Sequence, residues 1–193
     1  MGLDIYFYKH TTANDLIKND IDALSTERKE TRKGKLPMEK IAELIKEGKK
    51  ESLIELLKPY NVYNFELRRL EECAESDLQY WVDEIISSYA SHEDMYYRKV
   101  NFLYAFFKDK LDNEECIVTR HDCEQIIKFG ELILETRDID FAKKLLPTQC
   151  GFFFGSTDYD DYYFIDVKDA VEQFKEYLND WDDDTIGWVY FSW

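Results

Sequence analysis

The chain has no long hydrophobic run. No stretch approaches 18 uninterrupted apolar residues, so a membrane-spanning helix is not expected. The opening MGLDIYFYKH has no basic region followed by an apolar run and does not read as a secretory leader. Met1-Gly2 would suit N-myristoylation, but Tyr6 stands where Ser or Thr is needed. Cysteine is sparse. Cys73, Cys116, Cys123 and Cys150 are irregularly spaced in a chain without an export signal, which points to reduced thiols in a cytoplasmic protein. There are only three histidines, His10, His92 and His121, and none sits in a nucleophile motif. The chain has no phosphate loop and no internal repeat. Long strands do not alternate with helices, which excludes a doubly wound sheet.

What is present is aromatic and acidic. Hydrophobic residues make up 45% and aromatics 16% of 193 residues, with 14 Tyr and 13 Phe, enough to fill one core and leave amphipathic rings for the surface. The formal net charge is −16, unevenly placed. Residues 1–60 carry 12 Lys+Arg against 11 Asp+Glu, and residues 61–193 carry 13 against 30. The densest stretch, 156–193, has 11 acids and 2 bases. Such a surface keeps a protein soluble, repels nucleic-acid backbones and draws basic partners. Direct nucleic-acid binding is therefore disfavoured. Carboxylates imitating DNA phosphates are a further reading that acidity alone permits.

Strands are expected at Leu3–Tyr8 and Thr185–Trp193, from their β-branched and aromatic content. Thr12 or Asn14 is read as the cap of a short helix through Leu24, and 25–37 as a polar loop or mobile arm. Helices are expected over Met38–Glu47, Glu51–Lys58, around Phe65–Cys73, and after Ser76. Ser91-x-x-Asp94 resembles a capping box opening a helix through Tyr97 and Phe107. Thr119-x-x-Asp122 reads as another start, with Gly130 a weak point. Asp138 or Asp140 begins a short turn ending at Pro147, and a last helix covers about Asp160 to Asn179. The fold class is α+β: a mainly helical single domain, 1–193, with a small antiparallel sheet that pairs the N- and C-terminal strands. Gly151–Gly155 would lie beside that sheet.

The least ordinary segment is LLPTQCGFFFGSTDYDDYY, Leu145–Tyr163. It sets three Phe between two glycines among Gln149, Ser156, Thr157, Tyr159 and Asp160, the mixture of apolar wall and fixed polar groups that a binding site uses. Tyr97, Arg98, Lys99 and Asn101 form a second constellation, in which Arg98 can grip a carboxylate or phosphate bidentately. Internal ion pairing with the surrounding acids is the plainer account of Arg98 and Lys99. The run Asp180–Thr185 begins like a calcium loop but lacks its glycine and terminal Glu. Cys116, His121 and Cys123 offer three soft ligands at a spacing that matches no common zinc finger. No metal and no cofactor are expected.

MGLDIYFY, YYRKVNFLYAFF, LLPTQCGFFFGSTDYDDYYFIDV and the terminal FSW together resemble a group of uncharacterised phage and prophage proteins. The resemblance spans residues 1–10 and 95–193, with 11–94 as a variable helical insertion. It implies a phage-encoded accessory protein in the host cytoplasm, with no assigned activity, and recurring residues at Arg98, Lys99, Asn101, Pro147, Gly151, Gly155 and Tyr159. Nothing in the chain specifies a reaction, so the reading favours binding over catalysis: an accessory or counter-defence protein docking a basic host protein. The alternative is a small anionic ligand, such as a nucleotide, held between Arg98/Lys99/Asn101 and Gln149/Ser156/Thr157/Tyr159, with storage or weak hydrolysis as its outcome.

Overall fold

The computed structural model describes residues 2–60 and 62–193; the Met1-Gly2 reading therefore lies partly outside the described residues. Nine α-helices among them accompany a four-stranded antiparallel sheet, an α+β fold that includes both terminal strands. The chain forms two compact units, one of Met1–Ile21 with Glu93–Trp193 and one of Asp22–His92. Among the described residues no helix is long and apolar enough to cross a membrane.

The first unit is built on β1 (Asp4–Thr11), β2 (Met95–Arg98), β3 (Glu115–Val118) and β4 (Thr185–Ser192), in spatial order β2-β1-β4-β3. β1 and β4 pair along eight residues, from Asp4 opposite Ser192 to Thr11 opposite Thr185. Alternation sends Leu3, Ile5 and Phe7 of the N-terminal segment and Val189 and Phe191 of β4 into one core. The helices α6 (Asn101–Phe107), α7 (Arg120–Thr136), α8 (Ile139–Leu145) and α9 (Asp161–Tyr177) contribute to the same core. Phe7 meets Phe174 edge-on at 5.2 Å and Phe107 at 5.8 Å, geometries that aromatic quadrupoles favour.

The second unit consists of α1 (Ile21–Lys33), α2 (Met38–Lys46), α3 (Lys50–Leu57), α4 (Asn64–Glu72) and α5 (Leu78–Ser91). Leu44, Leu53, Leu57, Leu70 and Val82 fill its core. Arg28 is buried and donates to the carbonyls of Ala90 (3.4 Å) and His92 (2.5 Å).

Several expectations are corrected. Residues 25–33, read as loop or arm, continue the helix that begins at Ile21, whereas the segment just after Asn14, read as helix, is a turn. Glu, Arg and Lys are sound helix formers, Glu30 pairs with Lys33 one turn on, and Arg28 anchors the helix inward. Residues 95–98 are the edge strand β2, not a helix opened at Ser91. Asp94 instead accepts from the Lys9 amide (2.7 Å), and Met95 and Tyr97 point to the core while Tyr96 and Arg98 point out. β3 was not anticipated. Gly151–Gly155 is a turn, not a strand; Phe153 O accepts from the Leu3 amide (3.1 Å), just ahead of the inner strand β1. Gly130 is no weak point: α7 is continuous through it, and α9 crosses there.

The start of α7 follows its sequence. Thr119 Oγ1 accepts from the Asp122 amide (3.2 Å), and Asp122 accepts from the Thr119 amide (2.9 Å) and hydroxyl (2.7 Å). Lys110 pairs with the same carboxylate. Burial alone would raise the Asp122 pKa, but the hydrogen bonds from Lys110 and Thr119 hold it below its ordinary 3.8. A depressed carboxylate adds stability above its unfolded pKa and loses it as pH falls through the folded one. Asp122→Asn should therefore cost about 1–2 kcal/mol near neutrality, the range of a lost cap. Urea titrations at pH 6 and pH 2.5 should show the gap from the unmodified protein narrowing at the lower pH.

Candidate functional site

Residues 98–101 and 148–156 meet, and Asn101 joins them. Asn101 opens α6 and is 3% exposed. Its amide nitrogen donates to Phe154 O (3.2 Å) and Ser156 O (2.8 Å), and its amide oxygen accepts from the Gln149 backbone N–H (3.3 Å). One buried side chain thus satisfies three backbone groups of a segment some fifty residues away. Lys99 turns the chain between β2 and α6 at φ +62°, its amide donating to Leu3 O (2.7 Å). Gly155, at φ +90°, lies against it, and a Cβ there would sit 3.2 Å from Lys99 Cβ.

The junction uses most of its own polar groups. The Tyr159 hydroxyl accepts from the Thr148 amide (3.0 Å), whose hydroxyl donates to Thr157 O (3.0 Å). Gln149 Oε1 accepts from Lys108 (3.0 Å). Ser156 Oγ accepts from the Asp158 amide (3.0 Å). Asp160 caps α9 through the Tyr163 amide (3.1 Å). Tyr97 faces the core, where burial and then the nearby Asp169 charge push its hydroxyl pKa up. Tyr97 and Asn101 are thereby removed from the candidate surface, because strand alternation turns one inward and the clasp consumes the other. Arg98 does reach solvent, 3.7 Å from Asp4, and the side chains of Lys99 and Thr157 are exposed.

A different surface stands free on α9. Its core positions include Tyr163, Phe164, Val167, Ala170 and Phe174. The intervening positions Tyr162, Asp166 and Asp169 recur at helical spacing along one flank, with Ile165 beside them. Tyr162 is 77% exposed and Ile165 52%. Asp166 is half-buried and has no hydrogen-bond or ion-pair partner among the described residues. Burial first, then the charges of Asp169 and Asp160, push its carboxyl above the ordinary 3.8. The opposite flank is compensated: Lys175 reaches Glu131 on α7 (2.6 Å) and Lys168 reaches Glu172 (3.6 Å).

The aromatics divide accordingly. Tyr162 is outside, whereas Tyr163 and Trp181 are core residues, 4% and 8% exposed. Tyr163 donates to Leu146 O (2.8 Å). Phe152, in the segment expected beside the sheet, is 92% exposed in its turn. Asp166 and Ile165 were not singled out from sequence, although the 162/166/169 spacing was there to find. Cys116 and Cys123 are buried, which pushes both thiols up to about 12, so neither is a poised nucleophile. Among the described residues no group of three or more His, Cys, Asp or Glu is placed to hold a metal ion. No protein-family model, curated protein or solved structure matches this chain.

Proposed function

We propose that this is a non-enzymatic, phage-encoded accessory or counter-defence protein that docks a basic region of a host protein on the Tyr162/Ile165/Asp166/Asp169 flank of α9. The observation that carries this reading is Asp166: a half-buried carboxylate left without a cation in a chain that pairs acids elsewhere. A charge held against burial and two like charges weakens the free protein, and a Lys or Arg from a partner would relieve it. Tyr162 and Ile165 supply the apolar contact that interface centres require. The resemblance of the N-terminal and 95–193 segments to phage proteins supports the context. The small-anion alternative ranks behind it, because Asn101, Gln149 and Tyr159 are engaged internally, which leaves Arg98, Lys99, Ser156 and Thr157 as its exposed members.

Capture from host lysate on immobilised protein tests the reading. A specific partner should be retained at low salt and released as ionic strength rises. Tyr162→Ala combined with Asp169→Lys should reduce retention by about tenfold or more, the scale of one hot spot. The same partner held equally by that variant, or held regardless of salt, would contradict the assignment.

A further inference from the structure

The unit of Asp22–His92 contains a cleft that the reading above does not use. It opens between α4 and α5 and encloses about 250 Å³. Phe65, Glu66 and Arg69 line one wall; Trp81, Glu84 and three serines of α5 line the other. Arg69 is its centre. The guanidinium lies 5.6 Å from the Phe65 ring and 5.3 Å from the Trp81 ring. Aromatic contact holds the plane of the group and leaves its N–H edge free.

That edge has no hydrogen-bond or ion-pair partner among the described residues. The other arginines of this unit are engaged: Arg28 and Arg32 donate to His92 O, and Arg68 lies 3.9 Å from Glu72. The hydroxyls of Ser87, Ser88 and Ser91 also lack partners among the described residues. Serine is a mediocre helix former, yet α5 places three in its last turns along this wall. Of the two acids, Glu66 is occupied, accepting from the Tyr63 amide (3.2 Å), while Glu84 is free to repel a second negative charge.

We propose that this cleft binds a single carboxylate carried on a small apolar body. The carboxylate takes the fork of Arg69, the body rests on Phe65 and Trp81, and the serine hydroxyls complete the polar contacts. The volume is below that of sites enclosing a drug-sized molecule, so the occupant is of amino-acid size. Glu66 and Glu84 select a monoanion over a phosphate dianion, because each added charge faces two carboxylates. A free small carboxylate and the C-terminal residue of a peptide share this chemistry.

The test uses the full chain, labelled with nitrogen-15, with the indole N–H of Trp81 as reporter. N-acetylphenylalanine should shift that resonance saturably, and its primary amide should bind at least about tenfold more weakly, as loss of a bidentate charged pair implies. Arg69→Gln, at an exposed position that leaves the core intact, should weaken the acid by about tenfold or more. Glu84→Gln should tighten it. A short peptide ending in phenylalanine that binds more tightly than the free derivative identifies a peptide terminus as the source; weaker binding identifies a free carboxylate. The proposal is overturned if acid and amide bind alike, if Arg69→Gln changes nothing, if Trp81 does not respond at millimolar probe, or if inorganic phosphate binds more tightly than the acid.

Discussion

Asn101→Asp is expected to destabilise the first unit by about 3–5 kcal/mol, the combined scale of two orphaned buried carbonyls and a charge set against them. The substitution is nearly isosteric, so the effect isolates hydrogen-bond polarity from packing. At present the amide nitrogen donates to Phe154 O and Ser156 O, 3.2 and 2.8 Å away. A carboxylate presents a third acceptor to those two and has only the Gln149 amide as donor. Asn101→Ala removes the same bonds without adding charge and should cost less, about 2–3 kcal/mol. Thermal unfolding followed by circular dichroism measures both. Asp tolerated as well as Ala would show that the clasp is not what holds the 148–156 segment to α6.

The second large effect is expected at Gly130. α7 and α9 cross there so closely that a Cβ would lie 2.3 Å from Val171 Cγ2 and 3.4 Å from Val167 Cγ1. Alanine favours the helix by about 1 kcal/mol over glycine, but overpacking a rigid contact costs about 1–3 kcal/mol or more, so the clash wins. Gly130→Val should add β-branched bulk and lower the melting temperature further. Val171→Ala alone opens a small void and destabilises. Placed together with Gly130→Ala it should restore part of the loss, with a favourable coupling of about 1 kcal/mol or more between the two sites. Additive effects would place the strain elsewhere.

The terminal strands and α9 were legible because their signals are local. Thr185–Ser192 is β-branched and aromatic, and α9 follows an acidic cap and shows clean helical spacing. The capping box at Thr119 and Asp122 was legible for the same reason. β2 was not, because its partner β1 is some ninety residues away and Ser91-x-x-Asp94 imitates a helix start. Only the pairing reveals that Asp94 serves the Lys9 amide. The same blindness governs the site. Sequence marked the right two segments, and they do meet, but it could not show that their polar groups satisfy one another. Nor could it separate Tyr162 from Tyr163, since exposure depends on the phase of a helix against a core that only the fold defines. Arg69 went unnoticed because its meaning comes from Phe65 one turn before it and Trp81 on another helix.

An uncompensated charge at Asp166 is what would draw a basic partner to α9, and its neutralisation is the direct test. A carboxyl whose folded pKa is raised destabilises the protein at neutral pH, and the deficit lessens as pH falls toward that pKa. Asp166→Asn should therefore raise the melting temperature at pH 7 by about 2 °C, the scale of surface-charge relief in a chain of this size. It should also weaken retention of the basic partner. A melting temperature that falls instead would mean that Asp166 already has a cation within the fold, and the α9 flank would have no charge waiting for a partner.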